Sequence, residues 1–308
     1  MLTMFGVAAL SNTRATQVFA AGPVAAVAGA VCLELAKGAL AFVGGKIMGA
    51  ILGGEGPTNA QVIEAIRAST EEIKNHVSAE TRAAINEDNL RHLQASCSSV
   101  LGKLTTFSEI LPEDKPKYLH LLENADISSR DGIALAERMG TAGLTTYAIF
   151  VSLRIIIVQA YFDLNGEKYI YKNFAKDLRA HMNFVSDGVF KYLHSLDPDV
   201  RVGPLVCSAQ ETGGQFPTRV FSCSFTVDGQ PVAGAGGFAP GGRGDDVYTE
   251  RARSVHQAKE REIRDFSESM SRNFGNPLLQ TVSEWGKVAD LIDNDGVAPA
   301  VTPVINGR

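Results

Sequence analysis

A mainly α-helical fold is what this sequence predicts: a helical bundle around a buried apolar central helix, with a small β-hairpin and C-terminal helices. Three observations predict it. Aromatic residues make up 7% of the 308 positions while alanine is abundant along the first half, which favours helices over a β-sandwich. From Thr58 onward apolar residues recur at three- and four-residue steps, the signature of amphipathic helices. The run LTTYAIFVSLRIIIVQAYF, Leu144 to Phe162, is apolar on nearly every side, as a helix must be when other helices surround it.

Residues 1–34 form an N-terminal segment whose order is left open. The segment has no cationic leader and its apolar stretch is broken by Ser11, Asn12 and Arg14, so no clear signal peptide is expected. The bundle is assigned to residues 35–196. It opens on a glycine-studded run from Leu35 to Gly54, in which Gly45 and Gly49 have the spacing of close helix packing, and Gly53 to Pro57 reads as a hinge. Thr58 with Gln61 three residues on fits a capping box. Val62, Ile66, Ile73 and Val77, then Ile85, Leu90, Leu93, Val100 and Leu104, form the apolar stripe of one long helix or two in series, interrupted near Ser78. The charges opposite the stripe, Arg67, Glu71, Lys74, Arg82 and Glu87 among them, describe a solvated face.

Pro112 and Pro116 start a new helix, about Tyr118 to Met139, and Gly140 and Gly143 separate it from the apolar run. That run has the length of a membrane span. Arg154 at its centre would cost roughly 2.5 kcal/mol or more in lipid, so a buried central helix is the resting-state reading. The β-branched cluster Ile155 to Val158 would also serve a strand, because short apolar runs are ambiguous by periodicity. Tyr169, Phe174, Leu178, Met182, Val185, Val189 and Leu193 then mark another amphipathic helix, which Pro198 ends.

Residues 197–246 are read as a β-hairpin and a glycine-rich loop. VRVGPLVCS and RVFSCSFTVDGQPV are β-like, with Asp228-Gly229 opening a further turn, so a hairpin or a three-stranded ribbon fits. Cys207 and Cys223 are equidistant from Gln215 and would face each other across the hairpin; a disulfide and two free thiols both stay open. The stretch Ala233 to Asp246 lacks the strand–turn–helix context of a dinucleotide fingerprint and the Lys-Ser/Thr ending of a phosphate loop, and reads as a connector. Its Arg243-Gly244-Asp245 triplet is too short to carry an adhesion role. Residues 247–293 are read as C-terminal helices that complete the bundle, one of them about Val247 to Phe274, and 294–308 as a tail.

Composition and spacing exclude several functions. A net charge of −5, with no basic block, argues against nucleic acid as a partner. The six histidines and four cysteines show no metal-ligand spacing, and no nucleophile elbow or kinase-type loop occurs. No catalytic residues, metal or cofactor are therefore assigned, and an enzyme is not expected.

The order of elements, with TEEIKNHVSAETRAAINEDNLRHLQ, the apolar central run and YIYKNFAKDLRAHMNFVSDGVFKYL, resembles the N-terminal helical domain of insecticidal three-domain δ-endotoxins over roughly residues 35–195. The resemblance implies a bundle of seven-helix type and a pore-forming role in which a helical hairpin enters the bilayer. It places Leu144, Tyr147, Phe150, Leu153, Ile157 and Tyr161 on the inserting helix. Asp131, Glu137 and Arg138 would face water in a pore, and Arg154 would pair with Asp131 or Glu137. The family's two β-domains have no room here, because the 110 or so residues after Leu196 hold at most a hairpin and two helices.

The function expected on these grounds is that of a secreted or released soluble toxin-like protein that permeabilises a target lipid membrane. Self-association in the membrane is left open and the receptor is unknown. Two other readings stay beside it: a soluble helical interaction or scaffold protein, and a small-ligand binder or enzyme using the glycine-rich loop.

Overall fold

A computed structural model describes residues 23–43, 57–76, 87–195, 202–212, 218–227, 230–240 and 244–294. The expectations for the N-terminal segment to residue 22, the glycine-studded stretch 44–56, the interruption near Ser78, the turns at Gln215 and Asp228-Gly229, Arg243 and the tail beyond Asn294 lie outside the described residues. What is described is mainly helical, with α1 (Pro23–Val43), α2 (Asn59–His76), α3 (Glu87–Glu109), α4 (Leu119–Arg138), α5 (Leu144–Asn165) and α6 (Lys168–Ser195) in order. Three strands follow, β1 (Val206–Thr212), β2 (Thr218–Val227) and β3 (Gln230–Pro240), then α7 (Gly244–Met270) and α8 (Asn276–Asp293).

The centre of the molecule is α5. It packs against α1, α2, α3, α4, α6 and α8, and from Leu144 to Leu153 every one of its residues is buried. Its sequence explains this: a helix with no polar stripe has no face to give to water, so cover is needed all round. Each surrounding helix supplies one apolar stripe, such as Leu90, Leu93, Cys97, Val100, Leu101 and Leu104 on α3. The helix alternative is thus the outcome for Ile155 to Val158. The lone tryptophan, Trp285 on α8, is buried and its Nε1 donates to Ser152 Oγ of α5 at 3.0 Å.

The start of α2 has the expected capping box: Gln61 N donates to Thr58 Oγ1 at 3.3 Å, and Thr58 N donates to Gln61 Oε1 at 2.8 Å. The link between α4 and α5 is as short as Gly140-Thr141-Ala142-Gly143 allows. Gly140 has φ +60°, open to glycine, and a Cβ on Gly143 would lie 1.9 Å from the Ala136 carbonyl oxygen. These two glycines hold α4 and α5 as a tight hairpin.

Several expectations need correction. The first helix begins at Pro23, ahead of the boundary at residue 35, because Ala28, Val31, Cys32, Leu35, Ala36 and Ala39 already form a core stripe at helical spacing. Tyr169 is 80% exposed, and the buried stripe of α6 starts at Tyr171, which continues to Phe174, Ala175 and Leu178. The glycine-rich loop is for the most part a strand: Gln230–Pro240 pairs antiparallel along β2, which supplies the backbone partners its residues need. Its small residues Gly237, Ala235 and Ala233 stand opposite Phe221, Cys223 and Phe225, so large residues of β2 meet small ones of β3 in the register.

The sheet has the order β1-β2-β3, and Cys207 and Cys223 are directly paired in the register and joined by a disulfide. Alternate residues of β2, Phe221, Cys223, Phe225 and Val227, are buried; the last three pack with Val202 and with Val255 of α7 in a small second core. Farther along, Phe266 and Met270 of α7 enter the main core, so this helix ties the sheet to the bundle. Gly275 and Pro277 mark the passage from α7 to α8, with Pro277 in the first turn of α8. The π-helical turn Ser271–Gly275 carries α7 into α8 and relieves the clash that proline makes in a regular helix. It is α8, more than Val247 to Phe274, that completes the bundle against α1, α5 and α6.

Glycine substitutions test this packing. Gly143→Ala is expected to lower stability in urea unfolding by about 2 kcal/mol or more, since backbone must move to admit the methyl. Gly102→Ala, at an exposed site in α3 with nothing near a new Cβ, is expected to raise it by about 0.5–1 kcal/mol.

Candidate functional site

Around α5 the ring of helices has an opening. Both α4 and α6 pack on α5 but not substantially on each other, and between them lies a cleft of about 420 Å³. Its floor is Arg154, Ile157, Val158 and Tyr161 of α5, one helical face at steps of three and four residues. Leu122, Asp126, Ile127 and Arg130 come from α4, and Ile170, Asn173, Phe174 and Asp177 from α6. Arg154 occupies the central helix at a position where that helix is not covered by another.

The arginine is nonetheless largely removed from water, its side chain 11% exposed. Its Nε donates to Asp126 Oδ1 at 3.0 Å, and its guanidinium lies over the Phe174 ring, 5.2 Å from the centroid. Asp126 also meets Arg130 Nη2 at 2.6 Å through its other oxygen. One carboxylate therefore serves two cations, and the flat, weakly hydrated guanidinium of Arg154 gains cation–π attraction in place of water.

The expected partners of Arg154 were Asp131 or Glu137; the structure assigns Asp126 instead. Asp131, Glu137 and Arg138 are exposed on the outer side of α4, while Asp126 borders its buried stripe of Leu122, Ala125 and Ser129. Hairpin geometry carried a signal for this. Arg154 is eleven residues past Gly143, and Ser129 is eleven before Gly140, which puts Arg154 level with the Asp126 to Asp131 region and rules out Glu137 near the turn. Of the residues assigned to insertion, Leu144, Tyr147, Phe150, Leu153 and Ile157 are buried and Tyr161 half-buried, lining the cleft.

A second polar arrangement went unread in the sequence. Tyr147 Oη and His181 Nδ1 of α6 lie 2.6 Å apart, the rings meeting edge to face at 5.5 Å. His181 Nε2 is buried without a hydrogen-bond partner among the described residues. Burial, reinforced by the positive charge of Arg154 and opposed by Asp177, lowers the imidazole pKa to about 4. Burial likewise raises the Tyr147 phenol, with Glu137 adding to the effect and Arg154 opposing it. The pair is thus neutral near pH 7. Near the far end of α5, Tyr171 Oη donates to Gln159 Oε1, whose Nε2 donates to Asp163 Oδ1 at 2.6 Å.

The other candidates have structural roles. The Cys207–Cys223 disulfide clamps β1 to β2, and Cys32 and Cys97 are buried thiols whose pKa values burial raises, that of Cys97 to about 12. Among the described residues no cluster of His, Cys, Asp and Glu could hold a metal ion.

Two measurements follow from this chemistry. Asp126→Asn is expected to cost about 2–3 kcal/mol in chemical unfolding, because it strands Arg154 in a mostly buried place, whereas Asp131→Asn on the wet face should stay within about 0.5 kcal/mol. His181 has a folded pKa of about 4, below its ordinary value near 6.5, so its neutral form contributes stability above about pH 6.5 that is lost as pH falls through 4. An acid titration of unfolding should show a loss on the order of 2–3 kcal/mol over that window, and His181→Gln should flatten it. Compared with family models, curated proteins and solved structures, the chain matches none.

Proposed function

We propose that this protein permeabilises lipid membranes, acting as a released, toxin-like protein whose α4–α5 hairpin leaves the bundle and enters the bilayer. The observation that carries the reading is where the charge on the central helix is neutralised. Gly140–Asn165 is long and apolar enough to cross a membrane, and its one ionised residue before Asp163, Arg154, is paired to Asp126. That partner belongs to α4, the other arm of the same hairpin. A hairpin that carries its own counter-ion can move from protein to lipid without exposing a bare charge.

Further support comes from the tight glycine turn and from the apolar circumference of α5, which suits a helix either inside a bundle or inside lipid. Asp131, Glu137 and Arg138 lie outward on α4 and would line the wet side of a pore built from several copies. The resemblance in element order to the helical domain of δ-endotoxins points the same way. No catalytic role and no cofactor enter this reading, and the receptor is left unassigned.

The rival is a soluble helical interaction protein whose apolar helix does no more than fill a large core; nearly complete burial of α5 is what favours it. Dye release from liposomes at micromolar protein separates the two. Leakage is expected at some pH between acid and alkaline, and vesicles intact at every pH would sink the proposal. An engineered disulfide between α5 and α1, which pack together and meet where Cys32 Sγ lies 3.4 Å from the Thr145 carbonyl oxygen, would tie the hairpin to the bundle. The oxidised variant should lose leakage and regain it on reduction, with wild-type protein given the same reductant to account for Cys207–Cys223.

A further inference from the structure

The geometry points to the α4–α6 cleft as a binding site for a single-chain amphiphile with an oxyanion headgroup, a carboxylate or a phosphate. The inner end of the cleft supplies the headgroup contacts. Among the described residues Nε is the one nitrogen of Arg154 with a protein acceptor, so its two terminal nitrogens keep their N–H donors for an occupant. Planar guanidinium donors match carboxylate and phosphate oxygens. Arg130, whose side chain is exposed, stands beside it and shares the half-buried Asp126. Glu123, Arg130 and Asp177 also border the cleft, but all three are exposed and screened by water, whereas Arg154 is not.

The rest of the cleft supplies the chain contacts. Its walls are Leu122, Ile157, Val158 and Tyr161, and its two lips are Ile127 on α4 and Ile170 on α6. These lips are 59% and 45% exposed, two of the large apolar side chains left in water among the described residues. A hydrocarbon chain laid between them would remove both from water, and about 420 Å³ is within the size of small-molecule sites. A purely polar anion would leave that surface wet, and a cationic amphiphile would bring its charge against Arg154 and Arg130.

Titration calorimetry on the soluble protein tests this separately from leakage, so failure of one does not decide the other. Dodecanoate and dodecyl phosphate, each below its micelle concentration, are expected to bind one per chain, and inorganic phosphate and dodecylamine at least about tenfold more weakly. Ile127→Asp and Ile170→Asp, at exposed positions that the fold does not need, should each weaken dodecanoate by about tenfold. Arg154→Lys, which keeps a charge opposite Asp126 but loses the planar donor pair, should weaken it as well. Absence of dodecanoate binding, equal or tighter binding of dodecylamine, or indifference to both lip variants would overturn the assignment. Vesicles distinguish the sources of the headgroup. Displacement of bound dodecanoate by phosphatidylserine vesicles, and not by phosphatidylcholine vesicles, assigns the site to a bilayer lipid; no displacement by either assigns it to a free amphiphile.

Discussion

Everything in this structure follows from the need to keep α5 out of water. A helix apolar on one stripe can rest on a single neighbour, but Leu144 to Leu153 has buried residues at every position and requires neighbours on all sides. Six helices meet that demand, and their amphipathic patterns are the complement of its uniform one. Full burial of a leucine, isoleucine or phenylalanine contributes roughly 1.5–3 kcal/mol, so covering Leu144, Ile149, Phe150, Leu153, Ile155 and Ile156 is a large favourable term in folding. The small sheet and the first half of α7 form an outlying core of their own, attached to the bundle by Phe266 and Met270.

The same demand explains where polarity is tolerated. Arg154, Val158 and Tyr161 lie on the one face of α5 that meets the opening between α4 and α6, and the arginine is found there instead of deeper in the ring. Asp126 and Phe174 approach it from the two sides of the opening. Elsewhere α5 meets its neighbours through short polar ties that leave the helix neutral: Trp285 to Ser152, Cys32 to the Thr145 carbonyl, Tyr147 to His181. Neutrality is what lets one helix suit either a protein interior or a bilayer, and it is why the proposed release of the hairpin is physically reasonable.

The legible parts were those governed by short-range pattern. The capping box at Thr58 and Gln61, the glycine turn at Gly140 and Gly143, the amphipathic stripe of α3 and the facing cysteines 207 and 223 are relations between residues a few positions apart or symmetric about a turn. The misreadings have separate causes. Glycine-rich sequence normally signals a loop, yet Gln230 to Pro240 is a strand because β2 offers its backbone partners along the register. The start of α1 was obscured because residues on both sides of its core stripe are also apolar, so periodicity had little contrast.

By itself the sequence determined that this is a helical protein built around one uniformly apolar helix, since hydrophobic period and glycine turns are properties of the chain read locally. It also determined that Arg154 needed a counter-charge. Only the tertiary structure decided that Asp126 provides it, that α4 and α6 part to leave a cleft there, and that His181 is held neutral against Tyr147. Those are contacts between helices, set by how far and at what rotation the elements pack, and side chains many residues apart meet only when the whole ring has closed.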